Sequence, residues 1–330
     1  MKVLLIGLKW FATKVGRPDA IQRYINSFHN TYKDQKDYVL ETRFICEEDI
    51  WSQEKFNQVL LESDYDIAIV NGWKSINVTL ETAKKIGKKL FIIIWDTHNL
   101  HTMDRQMNLR MFLKSPVIDT GVIRFENSLY EYSQHCNILV IDNGYGKVMP
   151  NVYCVFEPMD RSVLYPMPEE EKKHELAFVG SMYEQERQFY LQKFNQSNIK
   201  FTQLGGKEDG EEPLSYEDWA RIHRESKIEF CFNGNAFLGA RKGRVWEIAS
   251  CGNFMLCTVP NVYKYHRGSW FVEGTHFVSF NEQNYKDVIN YYLNNPLKRM
   301  EIANNMHQLY LEKYTEDIWW SNLFKYAKDK

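Results

Sequence analysis

The sequence predicts an α/β chain of two doubly wound, Rossmann-like domains facing across a cleft, with a helical C-terminus. Three observations carry this expectation. Short apolar runs alternate with amphipathic stretches, the pattern of a parallel sheet covered on both faces. The alternation breaks once, in a segment of prolines and charges, and then restarts. At 330 residues the chain is too long for one ordinary core and too short for three.

In the first half, Val3 to Gly7, Asp66 to Asn71, Leu90 to Trp95 and Asn137 to Asp142 are apolar runs of strand length. Between them Ala20 to His29, Ser52 to Leu61 and Leu80 to Ile86 space their apolar residues at the helical period. Glu157-Pro158-Met159-Asp160 through Pro166-Met167-Pro168 to Lys173 reads as the linker, which sets the domains at residues 1–160 and 161–330. The pattern resumes with a strand over Glu175 to Val179, a helix over Glu184 to Phe194 and a strand over Ile199 to Leu204. A helix over Tyr216 to Glu225 and a strand over Lys227 to Phe232 follow, then a helix over Arg241 to Cys251 and a strand over Asn253 to Thr258. Glu282 to Lys328 reads as three helices anchored by Tyr291-Tyr292-Leu293 and Ile318-Trp319-Trp320, the last of them able to cross back to the first domain.

A hydrophobic fraction of 44% with 25% charged residues is that of a soluble globular chain, and the longest apolar runs are too short to span a bilayer. A formal net charge of -2 removes a global electrostatic reason to bind nucleic acid or membrane, while leaving room for a local basic patch. The six cysteines are scattered, with no C-x-x-C pair and no metal-ligand spacing, so no metal site is expected and a reducing, cytoplasmic compartment is (host cytoplasm if the source is viral). Aromatics make up 15%. They are expected mainly in the cores, with Trp10, Trp73 and Trp95 as candidates for stacking on a ligand ring. P-loop, G-x-S-x-G and G-x-G-x-x-G motifs are all missing from the sequence, which weakens NTPase, serine hydrolase and standard dehydrogenase readings. Asp64-Tyr65-Asp66 has the form of a D-x-D metal motif but precedes its strand, and it reads as strand-entry polarity.

The richest stretch runs from Gly239 through Arg241, Lys242, Gly243, Arg244 and Glu247 to Gly252. Cations at a helix start oppose the macrodipole unless an anion compensates, and guanidinium forks match phosphate oxygens. Glu247, one turn beyond Arg244, is suited to accept hydrogen bonds from a ribose diol; a solvated basic helix start with a surface Arg244–Glu247 pair is the alternative. Gly180-Ser181 ends the first strand of the second domain, where a glycine lets a ligand approach the backbone or simply makes a turn. Arg187 in the next helix either reaches a phosphate or lies exposed. In the first domain Asp96, His98 and His101 directly follow a buried strand. There Asp96 is either a general base or a helix cap.

The segments Phe178-Val179-Gly180-Ser181, Ser226-Lys227-Ile228, Lys242 to Gly252, Tyr291-Tyr292-Leu293 and Ile302-Ala303 resemble the C-terminal half of CgeB-like (spore maturation) glycosyltransferases of the GT-B fold. Leu164-Tyr165-Pro166 is also similar to the segment entering their donor domain. Arg244-Val245-Trp246-Glu247, with Ala249-Ser250, Met255-Leu256 and Gly180-Ser181, is similar to bacteriophage DNA beta-glucosyltransferase. These resemblances imply glycosyl (hexosyl or pentosyl) transfer from a nucleotide-diphosphate sugar, a UDP-sugar first among candidates, to a hydroxyl on a saccharide, a protein or hydroxymethylated pyrimidine in DNA. They further imply diphosphate binding by Gly180, Ser181, Arg187, Arg241 and Arg244, ribose binding by Glu247, and Asp96 as base with His98 beside it. A divalent cation is neither required nor excluded, since the arginines can replace it. One departure matters: retaining members carry a second glutamate eight positions before the ribose glutamate, and here that position is Gly239. From another class, the same features also fit a non-catalytic nucleotide-sugar binding module.

Overall fold

The computed structural model describes residues 1–8, 20–45, 52–70, 77–94, 114, 118–119, 124–125, 127–141, 146–180, 185–197, 199–204, 215–232, 243–258 and 271–328. The chain divides into two compact units, one of Met1–Trp10, Tyr24–Phe156 and Asp317–Lys330, the other of Phe11–Arg23 and Glu157–Glu316.

The first unit begins with β1 (Lys2–Leu8), α1 (Ala20–Tyr32), β2 (Val39–Ile45) and α2 (Gln53–Glu62). It continues through β3 (Ile67–Val70), α3 (Leu80–Ile86), β4 (Leu90–Ile94) and a short antiparallel pair, β5 (Ile118–Asp119) and β6 (Arg124–Phe125). Next come α4 (Leu129–Ser133), β7 (Asn137–Ile141), β8 (Gly146–Met149) and β9 (Val152–Val155). The main sheet has the order β2-β1-β3-β4-β7-β9-β8 and is parallel except for β8, which turns back on β9 at Pro150–Asn151. Leu4, Ile6, Val70, Ile92, Ile94 and Val140 form a core with Phe56 and Leu60 of α2, Ala83 of α3 and Leu129 of α4. The intervening Val3, Leu5, Ile69, Phe91 and Ile93 are buried as well, which is why these strands read as unbroken apolar runs. Side-chain caps start the covering helices: Ser52 Oγ accepts from Lys55 N, Thr79 Oγ1 from Thr82 N, and Ser128 forms a reciprocal capping box with Glu131.

The second unit carries β10 (His174–Val179), α5 (Gln185–Gln196), β11 (Thr202–Leu204), α6 (Tyr216–Arg224), β12 (Ser226–Cys231), α7 (Arg244–Ser250) and β13 (Phe254–Cys257). After these come β14 (Val278–Ser279), α8 (Tyr285–Asn294), α9 (Pro296–Lys313) and α10 (Glu316–Lys328). Its sheet is wholly parallel in the order β11-β10-β12-β13-β14. The winding reverses between β10 and β12, so their carboxyl ends flank a topological switch point, the place where open α/β sheets bind ligands. One face of this sheet is an aromatic core in which Phe194 stacks on Phe230 at 4.8 Å and Tyr190 meets Phe280 edge-on at 5.1 Å. Much of the aromatic excess is consumed this way. Tyr291 is a correction to the expected helix anchors: it is exposed, and it is Tyr292 that packs, on Phe254 at 4.4 Å.

From Asp317 onward α10 belongs to the first unit. There Trp319 meets Tyr24 edge-on at 5.2 Å, Trp320 meets Phe28 at 5.0 Å, and Trp320 Nε1 donates to Ser27 Oγ at 3.0 Å. No helix among the described residues is long and apolar enough to cross a membrane.

Burial holds three histidines, His174, His276 and His307, below their ordinary value of 6.5. Each therefore binds a proton less readily folded than unfolded, and the stability this contributes is complete above the unfolded value and lost as pH falls below it. The expected result is a lower urea midpoint at about pH 5.5 than at about pH 7.5. An unchanged or higher midpoint on the acid side contradicts it.

Candidate functional site

The second unit's switch point gathers three of the residues singled out in the sequence. Gly180 directly follows β10 and has φ 152°, a conformation open to glycine and strained for other residues. Two positions earlier, the Phe178 ring carries two guanidinium groups, Arg187 Cζ at 5.6 Å and Arg244 Cζ at 4.5 Å from its centroid. Both arginines are buried, at 1% and 3% exposure. The exposed readings are thereby corrected: Arg187 is not an exposed helix residue and Arg244 is not part of a solvated helix start. Every residue of α7 is buried, and Val245, Trp246, Ile248 and Ala249 make its neighbourhood apolar, which draws Arg244 out of water with them.

Among the described residues, Arg244 Nε and Nη1 are buried with no hydrogen-bond partner. Burial pulls the Arg244 pKa below its ordinary value, and the Arg187 charge pulls it further the same way. A desolvated cation–π contact contributes about 2 kcal/mol, less than the several kcal/mol that removing one cation from water costs. Arg244 is therefore a buried cation with donors to spare, and an anion with several acceptor oxygens would complete its hydrogen bonding.

Glu247 lies one turn along α7, and its partner is not Arg244. Its Oε1 accepts from Arg23 Nη1 at 2.7 Å, while Oε2 sits 3.5 Å from His223 Nε2. Arg23 also pairs with Glu157 at 3.3 Å, donates to Met159 Sδ at 3.7 Å and lies over the Trp219 ring at 5.8 Å. Gly243 makes space for this pair, because a Cβ there would stand 2.0 Å from Glu157 Oε2 and 3.1 Å from Arg23 Nη1.

Behind Glu247 the polar contacts continue. His223 Nδ1 meets Glu229 Oε2 at 2.6 Å, Asn253 Nδ2 donates to Glu229 Oε1 at 2.5 Å, and Lys172 Nζ donates to Asn253 Oδ1 at 2.7 Å. His223, Glu229 and Asn253 are fully buried. Sequence reasoning missed Arg23, His223 and Glu229. Each sits inside an amphipathic helix or a strand where its own segment gives no chemical signal.

Asp96, His98, Ser181 and Arg241 lie outside the described residues, as do His101, Lys242 and the three tryptophans named as stacking candidates. Asp96 is two positions beyond the end of β4 in sequence. Among the described residues there is no group of three or more histidine, cysteine or acidic side chains able to hold a metal ion.

No curated protein is a sequence match to the chain. The family described as glycosyl transferase-like matches residues 161–325. Among solved structures, an alpha-glucosyltransferase in complex with UDP and a 13-mer DNA containing an HMU base is similar over 100% of both chains, with TM-score 0.61 and 10% identity. HepE of Anabaena in complex with UDP-glucose is similar over 98% of each chain, with TM-score 0.56 and 11% identity. MurG of Acinetobacter baumannii is similar over 99% of each, with TM-score 0.51 and 9% identity. At these identities the likeness is one of fold, and the fold is GT-B. The family match, by contrast, spans half the sequence and the whole of the second sheet, and on that ground the chain belongs to the glycosyl transferase-like family, as a glycosyltransferase.

Proposed function

We propose that the second unit binds a nucleotide-diphosphate sugar, with a UDP-sugar as the donor, and that the enzyme transfers the sugar to an acceptor hydroxyl. The observation that carries this reading is the pair of buried guanidiniums on Phe178, one with unpartnered donors, at the switch point of the second sheet. In this reading Arg187 and Arg244 take the diphosphate. They stabilise the negative charge that builds on the leaving group as the glycosidic bond breaks, in a site where water does not compete. Gly180 lets the phosphates approach the β10 terminus, with Ser181 and Arg241 contributing from the adjoining segments. Glu247 accepts from the ribose diol, and Asp96, assisted by His98, deprotonates the acceptor. HepE solved with UDP-glucose and the alpha-glucosyltransferase solved with UDP support the choice of uracil nucleotide. The finer likeness to CgeB-like enzymes is part of the same proposal.

The test is donor binding and turnover in Glu247→Gln. Calorimetry should show UDP bound by the parent chain and bound about 10-fold more weakly by the variant, the effect of losing a charged hydrogen-bond acceptor. Glutamine is preferred to alanine because Glu247 also holds Arg23. Undiminished UDP affinity in the variant removes Glu247 from the site. A parent chain that binds none of a panel of nucleoside diphosphates removes the donor reading itself.

A second acceptor class is favoured by one observation, the full-length similarity to an enzyme solved on DNA containing an HMU base. If the acceptor is hydroxymethylated pyrimidine in DNA, binding to duplex DNA should weaken steeply with added salt. Saccharide or protein acceptors predict no such dependence.

A further inference from the structure

We propose that Arg23 is a positioning residue of the donor site: it fixes the Glu247 carboxylate so that the ribose diol meets a preset acceptor. The inference rests on the donor reading above and adds to it a residue outside the segment matched by the family model. Arg23 lies in α1, far in sequence from α7, and is counted with the second unit.

Its geometry is that of a fastened group. Glu157 holds Nη2 at 3.3 Å, Met159 Sδ accepts from Nη1 at 3.7 Å, and the Trp219 ring lies under the guanidinium at 5.8 Å. The side chain is 11% exposed, so it is not one of the solvent-facing arginines whose ion pairs contribute little. Thus fixed, it presents Nη1 to Glu247 Oε1 at 2.7 Å.

The opposite side of the carboxylate is closed by His223, whose Nε2 stands 3.5 Å from Oε2 and whose Nδ1 is held by Glu229 at 2.6 Å. A glutamate has three side-chain torsions to restrict, and a carboxylate hydrogen-bonded by Arg23 and packed beside the His223 ring has given up much of that freedom before the ligand arrives. Each carboxylate oxygen has two lone-pair directions. A carboxylate oxygen that accepts from one donor can accept from a second, so a glutamate fixed by Arg23 can still receive a ligand hydroxyl.

The proposal is read by a cycle between the arginine and the ligand hydroxyls. Calorimetric dissociation constants are measured for UDP and for 2′,3′-dideoxy-UDP, with the parent chain and with Arg23→Ala. The parent should prefer UDP by about 10- to 100-fold, the range of hydrogen bonds to a charged acceptor. In Arg23→Ala the preference should shrink to about threefold or less, with UDP binding weakened and dideoxy-UDP binding nearly unchanged. Loss of general structural support would weaken both ligands alike and leave the ratio where it was. An unchanged ratio overturns the proposal, and so does tighter UDP binding by the variant, which would mean that Arg23 occupies the place of the ribose. If Arg23→Ala does not fold by its melting curve, Arg23→Gln, which keeps a donor on a shorter stem but not the charge, carries the same comparison. A parent chain that prefers UDP while the variants keep that preference leaves the donor reading standing and removes only Arg23. A parent chain that binds neither ligand overturns both.

Discussion

Replacing Arg244 by methionine should lower sugar transfer by about 10²- to 10³-fold and, in the absence of donor, raise the melting temperature. Arg244 is 3% exposed, has donors without partners and shares the Phe178 ring with a second cation. An unbranched apolar side chain of similar length removes that charge while filling most of the space. Exchanges of buried charge for well-packed apolar groups stabilise by about 1 to 4 kcal/mol. For a unit of this size that corresponds to a rise of roughly 2 to 16 °C. If Arg244 faces the leaving diphosphate as proposed, the same substitution removes a donor aimed at charge that develops in the transition state, and turnover should fall by about 10²- to 10³-fold. Calorimetric melting with and without UDP measures both sides at once. The parent should gain stability from UDP and Arg244→Met should gain little, so that their order reverses at saturating ligand. A variant that melts several degrees lower while still turning over donor would show that Arg244 is a structural cation.

This opposition between stability and activity explains why the site was only partly legible in the sequence. Arg187, Arg244, Glu247 and Gly180 stand out by residue type and by their place after a strand or at a helix start. Whether an arginine there is solvated or buried depends on the distant Phe178 and on the burial of α7 on every side, which are tertiary features. Arg23 lies in a 13-residue helix whose pattern reads as ordinary amphipathicity, and its partners Glu157 and Glu247 are far away in the chain. The fold divides along the same line. Central strands, buried on both faces, were plain as apolar runs. β2 was not, because it is an edge strand in which Glu41, Thr42 and Arg43 interrupt the apolar residues. The β8–β9 hairpin also escaped, although Pro150–Asn151 is a turn signature and Asn151 takes φ 59° there. The candidate donor-site residues carried by α7 and α5 are thus readable as types. The charges that hold them in place are not, since ion pairing across a tertiary fold leaves no period in the sequence.

Removing Glu229 should cause the largest loss of stability. This carboxylate is fully buried in β12, within the second sheet, and both of its oxygens are engaged, by His223 Nδ1 at 2.6 Å and Asn253 Nδ2 at 2.5 Å. Asn253 in turn accepts from Lys172, whose Nζ is buried and whose pKa that burial lowers. Glu229→Ala therefore leaves a void, two donors facing it and a lysine whose partner is no longer fixed. Leaving buried donors unsatisfied costs about 1 to 3 kcal/mol each, which with the void puts the loss at roughly 3 to 5 kcal/mol. For a unit of this size the melting temperature should fall by roughly 6 to 20 °C. Glu229→Gln keeps the volume and one acceptor oxygen but turns an amide toward a donor, so its cost should be smaller, about 1 to 3 kcal/mol. The order parent, glutamine, alanine in urea midpoints is the expected result. An alanine variant melting within a degree or so of the parent would show that the His223–Glu229–Asn253 contacts contribute nothing net. The glutamine variant, if folded at assay temperature, carries the second consequence. His223 then backs Glu247 less firmly, and the donor KM should rise more than kcat falls, because the altered contact holds the ligand in ground state and transition state alike.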